Sequence, residues 1–182
     1  MRAARSRIRA RSTNRPGSQL STLNFSQKLL YLLRHADANT VAETDDARFL
    51  SDKGLAQAKK VARFCEAHDL RPSILITSPV RRAHDTAFSV SNLLRVELIV
   101  ARWLACGMSP ETALDQLRDY AQFPSVMLVG HEPDFSLLAS HLLGLPDHAH
   151  MNIRKGSLTL LDVEPLRAGA ATLEYSIPCK LM

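Results

Sequence analysis

Three short, nearly unbroken apolar runs constrain this chain more than any other feature: residues 29–33 (LLYLL), 73–77 (SILIT) and 125–129 (SVMLV). A strand with one wet face alternates apolar and polar side chains. A continuous run suits a strand covered on both faces, as in a parallel sheet between helical layers. Helical patterns separate the runs. Ser51 stands as an N-cap, with Leu55, Ala58, Ala62 and Cys65 recurring at helical spacing up to about His68. Ser78-Pro79 reads as a capping hydroxyl and a first-turn proline, with Ala83, Ala87, Val90 and Leu94 as the inner stripe. Ser109-Pro110-Glu111 repeats that opening ahead of Ala113, Leu114, Leu117 and Ala121. Asp134 is the expected cap of a helix carrying Phe135, Leu138 and Leu142 and ending at Gly144. Residues 157–163 and 172–177 flank a turn near Arg167-Ala168-Gly169 and read as an antiparallel final pair. The sum is an α/β three-layer sandwich, with a mixed, mostly parallel sheet and helices on both faces.

A length of 182 residues holds one domain, expected over 28–182, and 46% hydrophobic with 23% charged residues is an ordinary globular balance. No apolar run approaches the roughly 20 residues of a membrane-spanning helix. Cys65, Cys106 and Cys179 are odd in number, widely spaced and without a CxxC pair. They make neither a disulfide framework nor a zinc site, and they fit a reducing, cytoplasmic setting. The net charge of +5 is local: six of the 23 basic residues are arginines within 1–27, which leaves 17 against 18 acidic residues beyond. Residues 1–27, Arg- and Ser-rich and without apolar periodicity, read as a disordered basic extension lacking the apolar core of a secretory signal. An organelle transit peptide, an arm holding nucleic acid or another polyanion weakly, and an extension without a role all fit that composition.

The chemistry lies where the apolar runs end. The first runs into Arg34-His35, the second into Ser78-Pro79-Val80-Arg81-Arg82, and the third into Gly130-His131-Glu132-Pro133. In a parallel sheet these carboxyl ends, beside helix starts, form the ligand crevice. Two imidazoles, two guanidiniums and helix-start N–H groups around one point suit a phosphoryl group. A neutral imidazole is a competent nucleophile. Arginines and a second histidine supply positioning and charge stabilisation, so no metal or other cofactor is expected.

Four segments in order, Leu33-Arg34-His35-Ala36-Asp37, Arg48-Phe49-Leu50-Ser51-Asp52-Lys53-Gly54, Ser78-Pro79-Val80-Arg81-Arg82-Ala83-His84-Asp85-Thr86-Ala87 and Val129-Gly130-His131-Glu132-Pro133, resemble the histidine phosphatase superfamily. Size and the short middle segment are similar to its phosphohistidine phosphatase (SixA-type) branch. That branch often has alanine after the catalytic histidine, as Ala36 stands here in place of the glycine of the RHG motif. The resemblance implies that His35 is the phosphorylated nucleophile. It makes Arg34 and Arg82 phosphate clamps and His131 the second histidine on the transferring group. It also makes Arg48 and Glu132 candidate substrate contacts. Arg48 fits a surface salt bridge equally well, Asp37 is either a helix-capping carboxylate or a site acid, and Glu132 is the other nearby candidate acid by sequence. Larger relatives carry a glutamate acid after the second motif. Glu97, Glu111, Asp115 and Asp119 occupy that stretch here without a recognisable motif. An imidazole leaving group carries its own proton, whereas an alkoxide needs an acid worth about 10²–10⁴-fold, so the pattern favours phosphohistidine on a protein over small phosphomonoesters.

Rival readings are weaker. Cys65 and Arg71 have the spacing of cysteine-dependent phosphatases, but the intervening EAHDL has no glycine and two carboxylates, and Cys65 falls on an apolar stripe. His131-Glu132 begins like a zinc-protease signature, yet the fourth residue after His131 is Phe135. His141, His148 and His150 lack cysteine or carboxylate partners at ligand spacing. A pocket that binds phosphate or a polyanion without turnover is the rival from another class.

Overall fold

The apolar runs become strands because both of their faces find cover. The computed structural model of the chain describes residues 28–146 and 151–182. The basic segment 1–27 and the histidines His148 and His150 lie outside the described residues. Six strands, β1 (Leu29–Arg34), β2 (Ile74–Thr77), β3 (Leu98–Val100), β4 (Ser125–Gly130), β5 (Leu158–Asp162) and β6 (Thr172–Ile177), form one sheet in the order β3-β2-β4-β1-β5-β6. The β3-β2-β4-β1 portion is parallel, and β5 and β6 add antiparallel pairings. Successive side chains of a strand point to opposite faces. Leu30 and Leu32 of β1 accordingly join one core, while Tyr31 and Leu33 join the other.

Helices α1 (Asp52–Ala67) and α2 (Arg81–Leu94) cover the second face through Val61, Ala62, Cys65, Ala83, Ala87, Val90 and Leu94. Helices α3 (Pro110–Leu117) and α4 (Asp134–Leu143) cover the first through Ala113, Leu114, Leu117, Phe135, Leu138 and Leu142. This is the expected three-layer sandwich. The edge strand β3 is an addition: three residues, none fully buried, are too short for a pattern to reveal.

Four local expectations need correction. Ser78-Pro79 does not open α2; the helix starts at Arg81 after Val80, whose side chain makes no cap. Asp134 is the first residue of α4, not its cap, and Pro133 holds the cap position. Its carboxylate accepts instead from Gly107 and Met108 N–H, at 2.9 and 3.2 Å. Ala121 lies beyond α3 and is exposed.

Leu55 is 44% exposed because Gly54 takes the buried place in the first turn of α1. A Cβ on Gly54 would fall 1.8 Å from the carbonyl oxygen of Asp37, so only glycine lets α1 lie this close to the chain following β1. The Ser51 cap is as expected: its hydroxyl accepts from Gly54 N–H at 3.1 Å.

Candidate active site

The order β2-β4-β1 places three strand ends side by side, with Arg34 level with Gly130 and Thr77 level with Val129. The residues that follow them are therefore neighbours, although 53 positions separate Ser78 from His131. The His35 amide donates to Gly130 carbonyl at 3.0 Å, and the Ser78 amide donates to Val129 carbonyl at 3.0 Å. The His35 and His131 ring centroids stand 5.3 Å apart. Both rings are almost wholly buried, at 7% and 2% exposure.

A hydrogen bond fixes the tautomer of the His35 ring. His35 Nδ1 lies 2.7 Å from Ala36 carbonyl, an acceptor only, so Nδ1 carries the proton and Nε2 holds a lone pair. Arg82 Nε donates to that Nε2 at 3.3 Å. Ser78 Oγ accepts from Val80 N–H at 3.2 Å and is hydrogen-bonded to His131 Nε2 at 2.9 Å. His131 Nδ1 is a buried nitrogen without a partner among the described residues.

The first turn of α2 directs the 6%-exposed Arg82 at this pair of rings. Its remaining donors reach Asp45: Nη1 to the carbonyl at 2.8 Å and Nη2 to the carboxylate at 3.0 Å. Nη2 also lies 3.6 Å from Cys106 Sγ. Arg34 donates through Nη1 to Ile153 carbonyl at 2.8 Å, and its buried Nε has no partner among the described residues. Its charge acts on both histidines.

The other sequence candidates lie around this centre. Arg48 binds Asn39 carbonyl at 2.6 Å and Asp45 at 2.8 Å, so it supports the carboxylate that faces Arg82. Asp37 accepts from Lys155 and from Ser51, each at 2.8 Å. The Lys155 ammonium, bonded to it, is the main cause holding its carboxyl below the usual range. Glu132 accepts from Ser136 Oγ. Sequence patterns missed Ser78, Asp45 and Thr86 as site residues. Thr86 Oγ1 accepts from Ala36 N–H at 3.0 Å and donates to Arg82 carbonyl at 2.7 Å, joining the residue after His35 to the first turn of α2. With Arg82 it is one of two polar residues on the buried stripe of α2, and that is its visible signal.

Burial first, then neighbouring positive charge, lowers His35 to about 3. Burial and then Arg82 lower His131 to about 4. Both rings are thus neutral at physiological pH, as a nitrogen nucleophile requires. Each folded value lies below the ordinary histidine value of about 6.5, so the neutral rings contribute stability in full above that pH. The contribution is lost as pH falls through the two folded values. The expected result is a denaturant midpoint that declines between about pH 6.5 and 3. Proton NMR should show both C2–H resonances still neutral at pH 5; a midpoint near 6.5 for either ring would contradict this environment.

Cys65 offers no rival nucleophile: buried in α1, its thiol is pushed up to about 12. Among the described residues no cluster of three or more His, Cys, Asp or Glu side chains could hold a metal, and no helix is long and apolar enough to cross a membrane.

Comparison with known proteins finds relatives in one family and of one fold. The family profile described as the histidine phosphatase superfamily (branch 1) matches residues 30–105. An uncharacterised protein of Picosynechococcus sp. is 31% identical over 155 residues, covering 80% of this chain and 88% of that one. A structure described as a candidate phosphohistidine phosphatase SixA from Agrobacterium tumefaciens matches with a TM-score of 0.73 at 24% identity, covering 84% of this chain and 98% of that one. The protein histidine phosphatase SixA complexed with tungstate gives 0.73 at 19% identity, with 84% and 97% covered. The same fold recurs at 16% identity in structures described as the alpha-ribazole phosphatase of Shigella flexneri and a phosphoserine phosphatase of Entamoeba histolytica, with TM-scores of 0.71 and 0.66.

Proposed function

The chain belongs to the histidine phosphatase superfamily, and from that premise we propose that it hydrolyses phosphohistidine on a protein through a covalent intermediate on Nε2 of His35. A phosphatase acting on a phosphorylated substrate is common to the family; the phosphohistidine preference is the finer step. The observation that carries it concerns protons. Lys155 holds the Asp37 carboxyl low, and Arg48, then Arg82, do the same for Asp45. Both are carboxylates at neutral pH and have no proton to give a leaving group. An alkoxide leaving from serine or a sugar needs that proton. A phosphohistidine protonated on its other ring nitrogen leaves as neutral imidazole and needs none.

In the first step the Nε2 lone pair of His35 attacks phosphorus, the N–P bond forms, and the bond to the leaving nitrogen breaks. The ring gains positive charge, and the Nδ1–H donated to Ala36 carbonyl stabilises it. Arg82, already 3.3 Å from Nε2, turns its donors from Asp45 to the phosphoryl oxygens. His131, whose buried Nδ1 has no other partner among the described residues, is a further donor to the same oxygens. Arg34 is the second cation of the clamp. Water then attacks the phosphorylated His35, inorganic phosphate takes the water's proton, and Nε2 recovers its lone pair.

The test is turnover of a phosphohistidine peptide, a phosphoserine peptide and an aryl phosphate, side by side in chelator. Phosphohistidine should exceed phosphoserine in kcat/KM by at least about 10²-fold, the low end of what a missing acid costs. Equal rates, or a preference for the ester, would make the enzyme a small-molecule phosphomonoesterase instead. A folded protein inert to all three would leave the binding-module reading.

A further inference from the structure

A cleft of about 400 Å³ opens from Arg34 between the start of α1, residues 154–155 and the C-terminal residues. Its wall carries five cations, Arg34, Lys53, Arg154, Lys155 and Lys180, against one carboxylate, Asp37. Lys155 is paired with that carboxylate at 2.8 Å. The side chains of Lys53, Arg154 and Lys180 make no hydrogen bond or ion pair among the described residues. Residues 28–182 as a whole hold 17 basic and 18 acidic side chains, so this excess is a local asymmetry. A concave surface lined by one sign of charge focuses its field on what enters.

We infer that this cleft binds an acidic segment of the substrate protein, flanking the phosphorylated residue held at His35. The substrate class rests on the function proposed above. Arg34 belongs to both regions, so the cleft adjoins the phosphoryl site. The cation types favour carboxylates over a second phosphate. Three of the five are lysines, point charges on flexible stems suited to several separate carboxylates; phosphate is better matched by converging arginine forks and backbone N–H groups. Exposed ion pairs are individually weak, so the contribution accumulates over several and fades with salt.

The experiment compares kcat/KM for phosphopeptides with an acidic and with a neutral flank, using the full-length enzyme and its Lys53→Ser/Arg154→Ser/Lys180→Ser variant at low and high salt. The wild type should prefer the acidic flank by about tenfold at low salt. In the variant the preference should fall to within twofold, while an aryl phosphate without a flank is turned over within twofold of wild type. Residues 1–27 are present in both proteins, so the difference between them reports the cleft. The same flanks are placed on phosphotyrosyl peptides, which are aryl esters. Loss of phosphohistidine turnover alone would then overturn the function proposed above and leave the flank comparison readable. No flank preference in the wild type, or a preference that survives in the variant, would overturn the inference. So would a small bisphosphate gaining the cleft-dependent advantage in place of the acidic peptide.

Discussion

His35→Ala is expected to remain folded and to lose kcat by on the order of 10⁴-fold or more, because the proposed nucleophile itself is removed. The ring packs between Arg82 and His131 and makes a hydrogen bond to its neighbour's carbonyl, so its loss leaves a small polar cavity, not a breach in either apolar core. Phosphate binding should survive, since Arg34, Arg82 and His131 remain. Turnover of aryl phosphate within tenfold of wild type would show that the covalent step does not pass through this residue.

Arg82→Ala carries the second large effect. Arg82 is the group that faces the His35 Nε2 lone pair and also holds two donors ready for oxygen atoms. Removing such a contact from the transition state costs about 10²–10³-fold in kcat. The fold should hold, because its ion-pair partner Asp45 is 61% exposed and is rehydrated when the guanidinium goes. Arg82→Lys restores charge without the planar fork, so it should recover only part of the rate. Purified Arg82→Ala with kcat within threefold of wild type would remove Arg82 from the clamp.

Much of this site is legible in the sequence, for a physical reason. A strand buried on both faces must be apolar along its length, so its end is sharp, and the polar residues immediately after it are marked as belonging to the crevice. That logic finds Arg34, His35 and His131 from three runs of five residues. Asp45 escapes it. It lies in a loop between Ala38 and Leu50 that has no period, and its bonds to Arg82 span 37 positions. Ser78 was visible but misread: Ser-Pro has the grammar of a helix start, whereas α2 begins three residues later and leaves that hydroxyl for His131. Asp134 misleads in the same way, its carboxylate serving the 107–108 turn instead of its own helix. Leu55 fits a helical stripe by spacing alone, but the approach of α1 to Asp37 gives the buried place to Gly54. Local grammar records which groups are available for bonding; it does not record which distant group the fold brings to them.

The most direct measurement is rapid quenching of the enzyme during turnover of a ³²P-labelled aryl phosphate, followed by peptide mapping. The structure predicts a phosphoenzyme stable in alkali, lost in acid, located on the peptide containing His35 and absent from His35→Ala. Label on serine, aspartate or cysteine, or steady turnover by His35→Ala, would contradict a nucleophile at Nε2 of His35.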